Sequence, residues 1–307
     1  MVATFFVFLR EGIEASLIVS VLLTYLDGIG QRRHFRDVFA GVVVALVAVA
    51  GSGVAIYLVV KSYDGTRLQM IIETATFLLA VSVLTAMTFW MQAQGAGISA
   101  HLKRRAGEAI DGKARLGLSL LSFQAVGREG LETVVFTLAI LFAASGPAPV
   151  RQAAAGGAAG LLAALALAYA IYRLGRRIDL GRLFRTVGAL LMFFAAGLLA
   201  DAVENLQALG WITLWNRPLW YTGRALSERS TLGGLLHSFF GYASRPTALQ
   251  IGLYLVYLAA ALVGFWLVSR KPARARAARG AAAEGGPAAA GPAPGGGEIS
   301  RQASAPI

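Results

Sequence analysis

The chain contains no cysteine, which excludes disulfides, thiolate metal sites and cysteine nucleophiles together. Histidine is nearly as scarce: His34, His101 and His237 are the whole set, and none lies inside a long apolar run. No His-Glu-x-x-His, no Glu-x-x-His on an apolar helix, no Walker loop and no Ser/His/Asp set can be found. A membrane metalloprotease, a di-iron oxidase and an ATP-driven pump therefore lack their parts, and neither an enzyme nor a permanent cofactor is expected. Charge is sparse too: 14% of residues are Asp, Glu, Lys or Arg, against about 25% in soluble domains.

What fills the space is hydrocarbon. The chain is 57% hydrophobic with a mean hydropathy of +0.64, the composition of an integral membrane protein. Seven runs are long enough for a core that takes about 20 helical residues to cross: Val2–Leu26, Val38–Val60, Met70–Gln92, Gly117–Ala143, Ala153–Tyr172, Val187–Leu209 and Ala248–Val268. The first is expected to stay in the mature protein. It lacks a basic leader and a small-residue cleavage site, and Arg10, Glu11 and Glu14 interrupt its apolar stretch. The chain from residue 271 to 307 is mostly Ala, Gly, Pro and Arg, too poor in large apolar side chains to pack, and is expected to be a disordered cytoplasmic tail.

A net charge of +12 would point a soluble chain toward nucleic acid, but here its distribution reads as topology. The connections after spans 1, 3 and 5 and the start of the tail hold 18 Lys and Arg, and the opposite connections hold 7. The positive-inside rule then puts the N-terminus outside and the C-terminus in the cytoplasm. The longest outer connection, 210–247, carries Trp211, Trp215, Trp220 and Tyr221, rings suited to the headgroup region. An interfacial helix is expected there near Leu226–Phe240.

Two of the runs carry charge at their middle. Arg10-Glu-Gly-Ile-Glu14 and Arg128-Glu-Gly-Leu-Glu132 are one pattern repeated 118 residues apart. The spans that follow each copy fall in register, so spans 1–3 and 4–6 form an internal repeat. Three spans is an odd number, so the second unit enters the membrane from the other side. The fold class expected is all-α: seven transmembrane helices, an inverted 3+3 repeat plus one C-terminal helix, residues 1–270 in all. Such repeats place their substrate site where the halves meet, near the bilayer midplane.

A charge at mid-bilayer costs about 3 kcal/mol on insertion scales, so a doubled charged pentapeptide needs a reason. Positions three and four apart share a helix face. Glu11 therefore projects with Glu14, and Glu129 with Glu132, while Arg10 can pair with Glu14 and Arg128 with Glu132. Gly12 and Gly130 remove side chains between the acids, so a helix, a water or an ion can come close. Four carboxylates make a hard oxygen site for a highly charged cation. The competing reading is a structural ion-pair network that clamps the halves together. Three further acids, Glu73 in span 3 and Asp201 with Glu204 in span 6, lie toward the outer face and look like a cation entrance. For Glu73, a solvated helix cap is the alternative.

"LREGIEASLIV" and "GREGLETVVF" resemble the paired motifs of the oxidase-dependent iron transporter family, the high-affinity ferric iron permeases of fungi and bacteria. The similarity extends to "AAGLLADAVENLQALG" and "GYASRPTALQIGLYLVYL" and covers residues 1–270. The resemblance implies uptake of Fe(III) across a bacterial inner membrane, with a periplasmic ferroxidase or iron-binding protein as partner. It also carries the motif acids onto Glu11, Glu14, Glu129 and Glu132, and the motif arginines onto Arg10 and Arg128. The outer connection departs from the family, with Glu228 as the only acid of "LWNRPLWYTGRALSERS". A permease for another cation, such as lead or manganese, and a non-transporting membrane anchor for a periplasmic oxidase are the alternatives.

Overall fold

The computed structural model describes residues 1–94, 106–107, 117–144, 149–174, 180–223, 226 and 230–284. All five basic residues of the connection after span 3 (Lys103, Arg104, Arg105, Lys113, Arg115) fall outside these, as does His101. Among the described residues the regular structure is helical, and one isolated bridge joins Pro218 to Thr247. Seven long helices are α1 (Val2–Gly28), α2 (Phe35–Lys61), α3 (Arg67–Gln94), α4 (Gly117–Ala143), α5 (Pro149–Leu174), α6 (Leu180–Ala208) and α8 (Ala248–Glu284), and a short α7 covers Thr231–Phe240. α7 begins later than expected, because Ser230 caps it by accepting from the Gly233 amide at 3.0 Å.

α2, α3, α5, α6 and α8 are long and apolar enough to cross a membrane by length and composition. α1 and α4, at 27 residues each, are as long, but each carries three charges at its motif. The outward faces are apolar: Val43, Val44, Val47, Leu58, Leu162 and Val256 are all more than half exposed. That is a surface for lipid and not for water. The chain divides into Met1–Val268 and a unit starting at Ser269. α8 extends to Glu284, so residues 271–284, expected to be disordered, are helical. Alanine and arginine are strong helix formers.

The helices do not pair with their sequence neighbours. α1 packs mainly on α5, α2 on α4, and α3 on α6, with α1 against α4 at the centre. Exchanging the two halves (α1 for α4, α2 for α5, α3 for α6) leaves this scheme unchanged, as a two-fold repeat requires. Small residues permit the close crossings. A Cβ on Gly156 or Gly160 of α5 would collide with the backbone oxygens of Met1 and Phe5 in α1, and one on Gly41 of α2 with that of Ser119 in α4.

Two apolar clusters fill the interior. One joins the start of α1 (Ala3, Val7) to the end of α4 (Phe136, Ala139, Ile140), with Phe77, Leu84, Phe194 and Leu198 around them. The other joins the end of α1 (Leu22, Leu26) to the start of α4 (Leu118, Leu121), with Val38 of α2. α1 and α4 therefore run antiparallel, and each enters one cluster with its first turns and the other with its last. The charged pentapeptides lie between the clusters along both helices.

Candidate metal centre

α1 and α4 bring the two motifs together. Glu11, Glu14 and Glu129 each place one carboxylate oxygen within 4.8 Å of the others. Hard cations bond oxygen at about 2.0–2.6 Å, so oxygens of this spacing can share one ion with little movement. Glu11 is 3% exposed and Glu129 7%. Glu132 lies within electrostatic range of both and of Glu14, but its nearest strong contact is Arg128.

The two arginines repeat one geometry. Arg10 Nε donates to Glu14 Oε1 at 3.2 Å, and Arg128 Nε donates to Glu132 Oε1 at 3.2 Å. Arg10 Nε also lies 3.9 Å from Glu11 Oε1. Their surroundings differ. Arg10 is 2% exposed and Arg128 54%, and the Arg128 guanidinium lies over the Trp90 ring at 5.1 Å.

Both oxygens of Glu11, and one each of Glu129 and Glu132, are buried with no hydrogen-bond partner. Native interiors hold few such atoms, and each buried, unsatisfied acceptor costs about 1–3 kcal/mol or more when charged. Their chemistry fits oxygen ligands turned toward a shared cation. Nearby hydroxyls are already satisfied by their own helices: Ser16 Oγ donates to Gly12 O at 2.6 Å, and Thr133 Oγ1 to Glu129 O at 2.9 Å.

At the motif glycines, what comes close is a helix. A Cβ on Gly12 would lie 2.8 Å from that of Ala164 in α5, and one on Gly130 would lie 2.9 Å from Val49 Cγ2 in α2. The glycines thus set how near the motif helices stand to their partners.

The other three acids do not join the set. Glu73, half-buried in the second turn of α3, accepts from Gln69 Nε2 at 2.8 Å within its own helix. Asp201 is half-buried on α6. Glu204 is exposed, and its Oε2 accepts from Gln250 Nε2 at 3.1 Å. Gln250 is part of a buried network that sequence reasoning missed. Its Oε1 accepts from the Thr247 amide at 2.7 Å, Thr247 Oγ1 donates to Gln207 Oε1 at 3.0 Å, and Gln207 Nε2 donates to Leu214 O at 3.3 Å. This network ties α6, α8 and the 210–247 connection together. On the same side, His237 Nδ1 and Nε2 lie 2.8 and 2.9 Å from Tyr242 O and Ala143 O, joining α7 to the end of α4.

A bundle of long apolar helices, an internal repeat and a buried carboxylate cluster that could hold a metal ion define the class of a membrane protein. Comparison with known proteins narrows this: residues 1–272 match the Iron permease FTR1 family, and the chain belongs to that family. It is similar to proteins named ferrous iron permease EfeU. That of Yersinia pestis is 33% identical over 279 residues, 89% of this chain and 96% of the relative. That of Yersinia pseudotuberculosis serotype I (strain IP32953) is 34% identical over 275 residues, 88% and 93%. That of Escherichia coli O6:K15:H31 is 32% identical over 284 residues, 90% and 99%. No solved structure matches the chain.

Proposed function

We propose that the chain is an iron permease, and not an enzyme, that moves Fe(III) across a bacterial inner membrane into the cytoplasm. Iron is its cargo and not a resident cofactor. Seven helices, α1 to α6 and α8, cross the bilayer with the N-terminus outside, and Glu11, Glu14, Glu129 and Glu132 ligate the ion between the two halves. The single observation that carries this is the convergence of buried carboxylates from two antiparallel helices, with both oxygens of Glu11 and one of Glu129 lacking a hydrogen-bond partner. Arg10 and Arg128 offset part of the negative charge. Asp201, Glu204 and Glu73 gather the cation at the outer face, where a periplasmic ferroxidase or iron-binding protein delivers it.

An all-carboxylate donor set favours the harder Fe(III) over Fe(II). A second reading, Fe(II) as cargo, has one observation behind it: the relatives are named ferrous iron permeases. Uptake into liposomes that contain the purified protein alone separates the readings. With Fe(III) offered as a weak chelate, influx is expected to exceed that from Fe(II) held reduced by ascorbate, and Glu129→Gln is expected to abolish it. Faster uptake of Fe(II) would establish the second reading. Uptake of lead or manganese in preference to either iron would make the chain a permease for another cation. No uptake of any metal would leave a membrane anchor.

A further inference from the structure

Counting seven residues back from the first acid of each motif reaches a hydroxyl in both copies: Thr4 before Glu11, and Ser122 before Glu129. The two are 118 residues apart, the same offset as the motifs. Seven residues is two helical turns less about 20°, so each hydroxyl shares its acid's face at a distance of about 10 Å along the axis. Because α1 and α4 run antiparallel, Thr4 and Ser122 fall on opposite sides of the carboxylate cluster. Thr4 stands in the turn that carries Ala3 and Val7 into one apolar cluster, and Ser122 follows Leu118 and Leu121 in the other.

Both residues are 0% exposed, so neither hydroxyl is there to meet water or a lipid headgroup. Ser122 Oγ donates to Leu118 O at 2.8 Å, which leaves its lone pairs free. Thr4 Oγ1 has no hydrogen-bond partner among the described residues. A buried orphan hydroxyl destabilises a fold relative to an isosteric methyl, so Thr4 costs stability where it is buried. A cation leaving the carboxylates in either direction meets that apolar packing, and a neutral oxygen two turns away is the chemistry that lowers the barrier to passage.

We propose that Thr4 and Ser122 are paired oxygen stations for the transported cation, one on each side of the carboxylate site, related by the internal repeat. The inference rests on the permease reading above and adds residues to it. With the N-terminus outside, Thr4 hands the ion inward to Glu11, and Ser122 receives it on the cytoplasmic side of Glu129.

The test uses the full-length protein in liposomes, with iron as the probe and rates normalised to folded protein. Thr4→Val is expected to melt at the wild-type temperature or above and yet to raise the apparent KM roughly three- to tenfold, while Thr4→Ser, which keeps the oxygen, stays near wild type. Ser122→Ala is expected to keep KM and lower the maximal rate by a similar factor, with Ser122→Thr near wild type. A Thr4→Val protein that melts lower than wild type would show a structural bond and overturn the proposal. Unchanged uptake by both Thr4→Val and Ser122→Ala would also overturn it. Glu129→Gln run alongside separates the two levels: if it abolishes uptake while the hydroxyl variants do nothing, the stations fail and the permease reading stands.

Discussion

Gly12 of α1 and Ala164 of α5 stand so close that a methyl group on the glycine would meet the alanine Cβ at 2.8 Å. The repeat gives the same relationship to Gly130 and Val49. Gly12→Ala is expected to destabilise the protein by about 1–3 kcal/mol, the usual cost of overpacking. Adding Ala164→Gly, which returns the missing space, is expected to recover most of the loss. Thermal unfolding in detergent measures both, and equal melting of the single and double variants would refute the contact.

The two motif arginines are expected to respond differently to removal. Arg10→Gln strips a buried cation from Glu11 and Glu14, and breaking a buried pair by deleting one partner costs about 3–5 kcal/mol. Arg128 is 54% exposed and rests over the Trp90 ring, so Arg128→Gln is expected to cost less than Arg10→Gln. The folded yield of each variant by size-exclusion chromatography decides it. Combining Arg10→Gln with Glu14→Gln is expected to restore part of the yield.

How much of this was legible beforehand depends on what each feature rests on. The bounds of α4 are those the sequence predicts, Gly117–Ala143. α3 and α6 begin three and seven residues before their apolar runs, at Arg67 and Leu180, since helical hydrogen bonding continues past the hydrocarbon. The intrahelical Arg10–Glu14 and Arg128–Glu132 pairs follow from spacing alone. The pairing of α1 with α5 does not, because a helix apolar on every side shows no stripe to say which face meets protein. Nothing inside the pentapeptides separates Arg10 from Arg128 either. Their burial is decided by distant residues, Trp90 among them. The acids of α6 were legible as charges, but not the amide of Gln250 that holds Glu204.

That amide divides two roles at the C-terminal end of α6. Gln250→Leu leaves the Thr247 amide and Glu204 without their partner, and is expected to lower stability by about 1–3 kcal/mol with KM little changed. Asp201→Asn with Glu204→Gln keeps side-chain shape and removes charge, so the apparent KM is expected to rise several-fold with the maximal rate kept. Liposome uptake across a range of iron concentrations reads both. A double variant that loses its maximal rate at saturating iron would place these acids in the translocation site itself.

The absence of native cysteine makes the orientation directly testable. Cysteines placed at Ser62 and Ser230 are expected to react with an impermeant thiol reagent in intact cells, and one at Ser269 only after lysis. Labelling of the Ser269 variant alone would invert the assignment.

The pairing of α1 with α5 also governs how the protein is made. Gly12 and Ala164 are 152 residues apart, and a ribosome adding about 5–20 residues per second needs roughly 8–30 s to cover that distance. For that interval the first helix leaves the translocon with its principal neighbour still unsynthesised and three charges in hydrocarbon. The arginine four residues before Glu14 is present from the start, so each motif arrives in the bilayer already carrying its own counter-ion. α4 has an easier entry, because α2 is waiting for it. The late arrival of α5, and not the synthesis of either motif, is the step that closes the first half of the site.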